Sequence, residues 1–445
     1  MSKKDVVILG GGFAGLSAGV ELAALGHKVH LLEQRGHLGG RAYSFRDPAT
    51  GSLLDNGQHL FMGCYQATLR FLERIGRRED IVFQRRLAVE FGAPGGKFSH
   101  FRSWSLPNPW HLLGGLFSFS GLSWREKRQF LALKRGIEDH RDQLDRLTIP
   151  QWLQKLGQSR VACERFWNLI ALAALNDDPE ISSAAVFQSV LREALFSSAQ
   201  NACLGFSRVG LSELYADPAR AFIEEHGGSV FLKTRVVKLH FSGHELREIE
   251  LLDGRRIAPE ILILAIPFGS LRKILPEWMI YQDPFFHSLR LMKSSPIVAI
   301  NLWFDRDFVE KDFIAFWETR IHWLFNKGRL LKDSEKNSYY SLVISGARAE
   351  LQTPASELVS LALSELESIF PKFKEAKLIH SHVMKEPEAT LSPVVGIEAL
   401  RPSQKTPFKN VYLAGDWTDT GLPATIEGAV RSAERVVKFI INPAQ

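Results

Sequence analysis

Three groups of residues in this chain have the types and spacing to do chemistry. The first is Gly10-Gly11-Gly12-Phe13-Ala14-Gly15, a G-x-G-x-x-G string, with Glu33 standing 18 residues after Gly15. At these spacings Gly10 permits a tight turn, Gly12 lets backbone approach a pyrophosphate, and Gly15 lets a helix pack closely. A carboxylate at Glu33 can accept both hydroxyls of a ribose, and it disfavours a 2′-phosphate, so NADP does not suit the site. The second group is Gly39-Gly40-Arg41, whose arginine can reach back to a pyrophosphate as a charge-assisted donor. The third is Gly415-Asp416 near the far end, with Asp419 and Glu427 close behind. His59 is a candidate proton donor, because surroundings can tune an imidazole to near pH 7, and Asp419 is an alternative. Glu427 reads as an electrostatic partner of a helix start, and Asp177 and Asp178 as solvated or capping acids. No histidine pair has HExxH or other metal spacing, so no metal is expected.

These residues need elements to hold them. Val6-Val7-Ile8-Leu9 has the composition of a buried parallel strand, a helical pattern runs from Leu16 to Leu25, and Lys28 to Leu32 reads as a second strand ending at Glu33. Strand, glycine loop, helix and strand make a complete dinucleotide-binding βαβ unit. Val411-Tyr412-Leu413-Ala414 predicts another buried strand, stopping at Gly415-Asp416. A polar loop over Thr418 to Pro423 follows, then a helix opening at Ala424 and running towards Lys438. Between the ends, Gly228 to Leu239 alternates like a strand pair, and Ile261 to Pro267 reads as a buried strand stopped by proline.

A chain of 445 residues exceeds one core and implies two interlocked domains. Three widely spaced cysteines (Cys64, Cys163, Cys203) without a CxxC argue against a disulfide framework or zinc site and fit a reducing cytoplasm. The apolar stretch after Lys4 ends at glycines rather than at a leader cleavage site. No run reaches the roughly 18–20 apolar residues of a membrane span. The net charge of +6 is scattered rather than blocked, which disfavours nucleic acid and suits an anionic cofactor or membrane surface.

The arrangement Glu33-x5-Gly39-Gly40-Arg41 resembles the amine oxidase and phytoene desaturase superfamily of flavoproteins. The strand–GD–loop–helix at the C-terminus resembles that superfamily's second FAD motif. The resemblance implies an α/β protein of amine-oxidase-like two-domain architecture. A discontinuous Rossmann-like FAD-binding domain would comprise 1–75, 210–270 and 400–445, and a mixed α+β substrate domain 76–209 and 271–399. FAD would lie against the backbone from Gly10 to Gly15, including Phe13 and Ala14, and against Glu33, Gly39, Gly40 and Arg41. Asp416, after Gly415, would hold a ribityl hydroxyl, and Thr425 and Ile426 would offer N–H groups to the flavin pyrimidine. Val236 matches the valine whose backbone contacts adenine.

The segment Leu54-Asp55-Asn56-Gly57-Gln58-His59-Leu60-Phe61 is similar to the corresponding stretch of the hydroxysqualene dehydroxylases, also known as squalene-associated FAD-dependent desaturases. Ala414-Gly415-Asp416-Trp417-Thr418 and Ala171 to Ala185 carry the same likeness, although Asp177-Asp178 is more acidic than that family's pattern. Gly57, Gln58 and His59 would border the flavin. The implied reaction is reduction of hydroxysqualene to squalene by FADH2 with loss of water, in bacterial squalene and hopanoid biosynthesis. The absence of an aromatic residue between Trp417 and Phe439 disfavours an amine substrate. A carotenoid or phytoene-type desaturase is the nearest alternative. A non-catalytic prenyl-lipid escort protein is another, although it would not need Glu33, Arg41 and Asp416 together. No second dinucleotide fingerprint is present, leaving an external reductant or direct reduction by NAD(P)H as the electron source. The apolar run Trp110 to Trp124, followed by Arg125, Lys127 and Arg128, could contact membrane or line the substrate domain. At about 0.8 kcal/mol per CH2, extracting a thirty-carbon chain into water would cost on the order of 20 kcal/mol. Such an enzyme is expected to sit peripherally on the cytoplasmic face of the plasma membrane.

Overall fold

Val6, Val7, Ile8 and Leu9 are all buried, which requires layers on both faces of the strand they form. The computed structural model describes residues 3–332 and 338–442. The strand, β1 (Asp5–Leu9), passes through the glycine loop into α1 (Phe13–Ala24) and returns as β2 (Lys28–Leu32). The helix starts earlier than its hydrophobic pattern predicts, because Gly12 is its N-cap and Phe13 and Ala14 already belong to its buried face. After α2 (Gln66–Arg74) comes a hairpin of β3 (Ala88–Ala93) and β4 (Lys97–Arg102). It leads into a helical stretch containing α3 (His111–Ser118), α4 (Trp124–Gln129) and α5 (Asn168–Leu175).

The chain then returns to the first sheet with β5 (Ser229–Phe231) and leaves it as β6 (Val236–Ser242) and β7 (Glu245–Leu251), before β8 (Ile261–Leu264). The expected strand pair over 228–239 is thus two strands of different sheets. β5 extends the parallel sheet, whereas β6 pairs antiparallel with β7. Lys233, at φ +53 between them, turns the chain out of the first sheet. Next come β9 (Ser294–Phe304), β10 (Phe313–Phe316), β11 (Trp323–Asn326), α6 (Lys327–Leu330), β12 (Ser338–Ser345), α7 (Ala355–Ile369) and β13 (Leu378–Leu391). The described chain closes with β14 (Val411–Leu413) and α8 (Ile426–Ile441).

The parallel sheet has the order β5-β2-β1-β8-β14, so its central strand is the first in the chain and one edge strand is the last. Side chains alternate across it as strand geometry requires. Val6, Ile8, Leu31 and Ile263 share a core with α1 and α8, while Val7, Leu9, Leu262 and Leu264 share one with β6 and β7. The second large sheet, β13-β9-β12-β11-β10-β3-β4, is antiparallel except where β10 runs parallel to β3. Val298, Ile300, Leu342 and Ile344 of this sheet pack on Leu358, Ala362 and Leu366 of α7. No helix of the described residues is long and apolar enough to cross a membrane.

Candidate active site

Gly10, at φ +105, brings its backbone against the end of β8, where a Cβ would lie 2.4 Å from the Ala265 carbonyl oxygen. A Cβ on Gly15 would lie 1.9 Å from the Gly10 carbonyl oxygen, so α1 can start here only without a side chain. Gly12 differs. The nearest atom to a Cβ there is the Gly40 Cα at 3.8 Å, which leaves an open cradle between the two glycine turns. No side chain caps the first turn of α1, and no acid lies in it. Its N–H groups therefore face the cradle as anion donors. Phe13 is stacked on Tyr215 at 3.6 Å, and the Tyr215 hydroxyl donates to the Gly39 and Ala42 carbonyls at 2.7 and 3.0 Å. Tyr215 thereby fixes the Gly39-Gly40-Arg41 turn against α1.

The buried Glu33 carboxylate accepts the Gly11 N–H and the Arg35 N–H, each at 2.8 Å, which orients it at the end of β2. Thr234 N–H donates to the Glu33 carbonyl at 2.9 Å, so the chain entering β6 at Val236 runs beside this carboxylate.

Arg41 joins the two terminal motifs. Its guanidinium donates to Asp416 Oδ1 at 2.6 Å and to the Ala389 carbonyl at 2.9 Å. The cause is electrostatic. Burial works against the charged guanidinium, but the buried Asp416 outweighs it and raises the Arg41 pKa. Behind Asp416, the Arg401 guanidinium donates to the Asp416 carbonyl at 2.8 Å, to Thr420 Oγ1 and to the Leu422 carbonyl. Burial pulls Arg401 down to about 10. Gly415 N–H donates to Ser432 Oγ of α8 at 2.7 Å, and Trp417 Nε1 to the Ile266 carbonyl at 3.0 Å. The loop after β14 is thus tied to both the helix and the parallel sheet. Thr425 is the N-cap of α8, its Oγ1 accepting the Gly428 N–H, so Ile426 opens the helix.

A second cluster lies around the Asp55–His59 segment. Lys327 is the only Lys buried among the described residues, and its Nζ donates to Asp55 Oδ2 at 2.8 Å and to Gln58 Oε1 at 3.0 Å. Asn326 caps α6 by accepting the Arg329 N–H, which turns the chain so that Lys327 enters the interior from the end of β11. Asp55 also accepts Ser44 Oγ and Leu211 N–H. Burial opposes its charge, yet Lys327 and these donors hold the carboxyl below its usual range. His59 bonds to the Arg41 backbone, and Gly57 lies beside its ring. Burial lowers the His59 pKa most; Asp55 opposes, while the Lys327 and Arg41 charges lower it further. His59 thus stands between Asp55, Lys327 and Arg41, with its imidazole pKa held below its ordinary value.

The match to known families decides what this geometry belongs to. Residues 13–441 fit the model for flavin containing amine oxidoreductases. The chain belongs to that family. As a family member it is an FAD-dependent oxidoreductase. It is 29% identical over 467 residues to the 15-cis-phytoene desaturase of Solanum lycopersicum, covering 98% of this chain and 78% of that one. To the hydroxysqualene dehydroxylase of Sinorhizobium fredii it is 29% identical over 452 residues, with 99% of each chain covered. Among solved structures, an oxidoreductase from Methanosarcina mazei superposes with a TM-score of 0.76 at 16% identity, over 97% of this chain and 99% of that one. The open cradle at Gly12, the uncapped α1 and the Glu33 carboxylate fit the ADP half of FAD. Asp416 and the start of α8 are the residues that would hold its ribityl and flavin end.

Other sequence candidates of this flavoprotein fall elsewhere. Asp419 is exposed, with its backbone held by Pro402, Gln404 and Arg435. Glu427 is buried and accepts the Ala67 and Thr68 N–H groups at 3.0 and 2.9 Å, together with Thr68 Oγ1. It lies in the first turn of its own helix and also holds the start of α2. Asp177 is not solvated. It is fully buried, paired with both Arg348 nitrogens and Ser392 Oγ, and fixes the end of α5 to the large sheet, whereas Asp178 caps Glu180 N–H. Sequence reasoning missed Lys327, Tyr215 and Arg401. Asn326-Lys327-Gly328-Arg329 resembles an ordinary basic surface turn, and no local pattern marks its lysine as buried.

Proposed function

We propose that this flavoprotein reduces hydroxysqualene to squalene. The observation that carries the reading is the buried ammonium of Lys327, clasped by Asp55 and Gln58 next to His59 and Arg41. An allylic hydroxyl leaves as water only after gaining a proton, so this chemistry needs a protonated group within an otherwise apolar site. We assign the proton source to Lys327, which donates to Asp55 Oδ2 and Gln58 Oε1 beside His59. FAD, held there in its reduced form, would supply the hydride this reduction needs. The chain's own residues orient the cofactor through Glu33 and Asp416 and keep the proton source out of water. The 29% identity to a hydroxysqualene dehydroxylase, with 99% of each chain covered, supports the same reading.

A phytoene-type desaturase is the second reading, favoured by the 29% identity to plant phytoene desaturases. It would collect hydride instead of delivering it. Anaerobic incubation of the flavin-reduced protein with hydroxysqualene separates the two: squalene should appear together with oxidised flavin absorbance. Failure to form squalene, with desaturation of phytoene by the oxidised protein, would replace the first reading by the second.

A further inference from the structure

Between Trp104 and Trp124 five large apolar side chains stand exposed: Trp104, Leu106, Trp110, Phe117 and Trp124, the last at 67%. Three are joined ring to ring, with Trp104 stacked on Phe117 at 5.7 Å and Phe117 meeting Trp124 at 5.4 Å. The fold enforces their exposure. α3 (HLLGGLFS) contains no Lys, Arg, Asp or Glu, and it buries Leu112, Leu116 and the Gly114–Gly115 edge against β4. A Cβ on Gly115 would lie 2.2 Å from the Phe101 ring. The inner face is therefore already filled, and Phe117 is left on the outside. A helix apolar on both its inner and outer faces is out of place at a water boundary.

The charge around the patch is one-sided. Residues 94–130 carry Lys97, Arg102, Arg125, Lys127 and Arg128 against one acid, Glu126. That carboxylate is occupied by the Ser123 N–H, Ser123 Oγ and Ser159 Oγ. Arg102, Arg125 and Arg128 are exposed, and Lys127 Nζ lies 5.4 Å over the Trp124 ring while donating to the Phe117 carbonyl. Aromatic rings with adjoining cations form the chemistry of the headgroup layer, where indole partitions and arginine meets phosphate.

We propose that this patch docks the protein on an anionic lipid bilayer, with the Trp104–Trp124 aromatics entering the headgroup layer and the arginines facing lipid phosphates. The surface stands independently of the reaction proposed above.

Flotation of the FAD-loaded protein with vesicles tests the proposal, using phosphatidylglycerol–phosphatidylcholine mixtures against pure phosphatidylcholine. Anionic vesicles should capture it at least about ten-fold better, with a blue shift of tryptophan emission and weakening at high salt. Replacing Trp104, Trp110, Phe117 and Trp124 together by Ser should reduce capture by about ten-fold or more. Arg125→Glu with Arg128→Glu should abolish the anionic preference. If the quadruple variant loses its melting transition, Trp124→Ser alone gives the reading, because that ring is mostly in solvent. Equal capture of wild type and patch variants would overturn the proposal, as would absence of capture. So would a wild-type dimer that the patch variants convert to monomer without any vesicle binding, which would assign the surface to a second copy. Turnover in detergent micelles reads the reaction separately from docking.

Discussion

Lys327 Nζ and Asp55 Oδ2 lie 2.8 Å apart with both side chains almost wholly buried, and they join two segments 272 residues apart in sequence. Lys327→Met leaves the carboxylate without its cation and should lower unfolding free energy by about 3–5 kcal/mol, read by urea denaturation. Adding Asp55→Asn should recover much of that loss. Asp55 has a lowered native pKa, so its contribution is complete above the ordinary carboxyl value of about 3.9 and is lost as pH falls through the native one. A single variant as stable as the wild type would remove the pair from the stabilising core.

Arg41→Met should release FAD. Asp416 would lose its partner, and the two motifs would lose the bridge between them. Fluorescence titration should show a dissociation constant raised by roughly 30-fold or more. Arg41→Lys should recover only part of the affinity, because one ammonium does not reproduce the fork that spans Asp416 and the Ala389 carbonyl.

The glycines of the first motif should divide by phenotype. Gly12→Ala points its methyl into open space, so the variant should fold with a near-normal melting temperature and bind FAD weakly. Gly15→Ala drives a methyl onto the Gly10 carbonyl and should yield little folded protein. Equal behaviour of the two in melting and flavin titration would contradict an open cradle at Gly12.

His322 gives the clearest acid-linked effect. It is buried, its Nδ1 accepts the Ser345 N–H at 3.0 Å, and burial pulls its pKa down to about 4. A lowered native value means that the unfolded chain binds the proton first. Its contribution is therefore full above about pH 6.5 and is lost as pH falls towards 4, amounting to about 3 kcal/mol. Urea melts of His322→Asn at pH 7 and pH 4.5 should show a shallower pH dependence than the wild type.

The βαβ unit and the C-terminal strand–GD–helix were readable because each is written in consecutive residues: a buried run, glycines at fixed offsets, then a helical period. Family resemblance added the DNGQH segment on the same local terms. Three features were not readable from such terms. Lys327 is buried only because Asp55, far away in the chain, offers a countercharge. Asp177 looks like a surface acid until Arg348 of a distant loop covers it. Arg41 is paired with Asp416, which lies 375 residues further along the chain. In each case an ionisable side chain takes its role from a partner brought by tertiary structure, which periodicity does not encode.

The placement of β14 and α8 has a consequence for biosynthesis. The parallel sheet receives an edge strand from residues 411–413, and Glu427 of α8 anchors the start of α2. A nascent chain that already contains every glycine of the first motif still lacks Asp416, the Arg41 bridge and this anchor. Cofactor capture in the complete site therefore waits until the C-terminal helix has emerged from the ribosome.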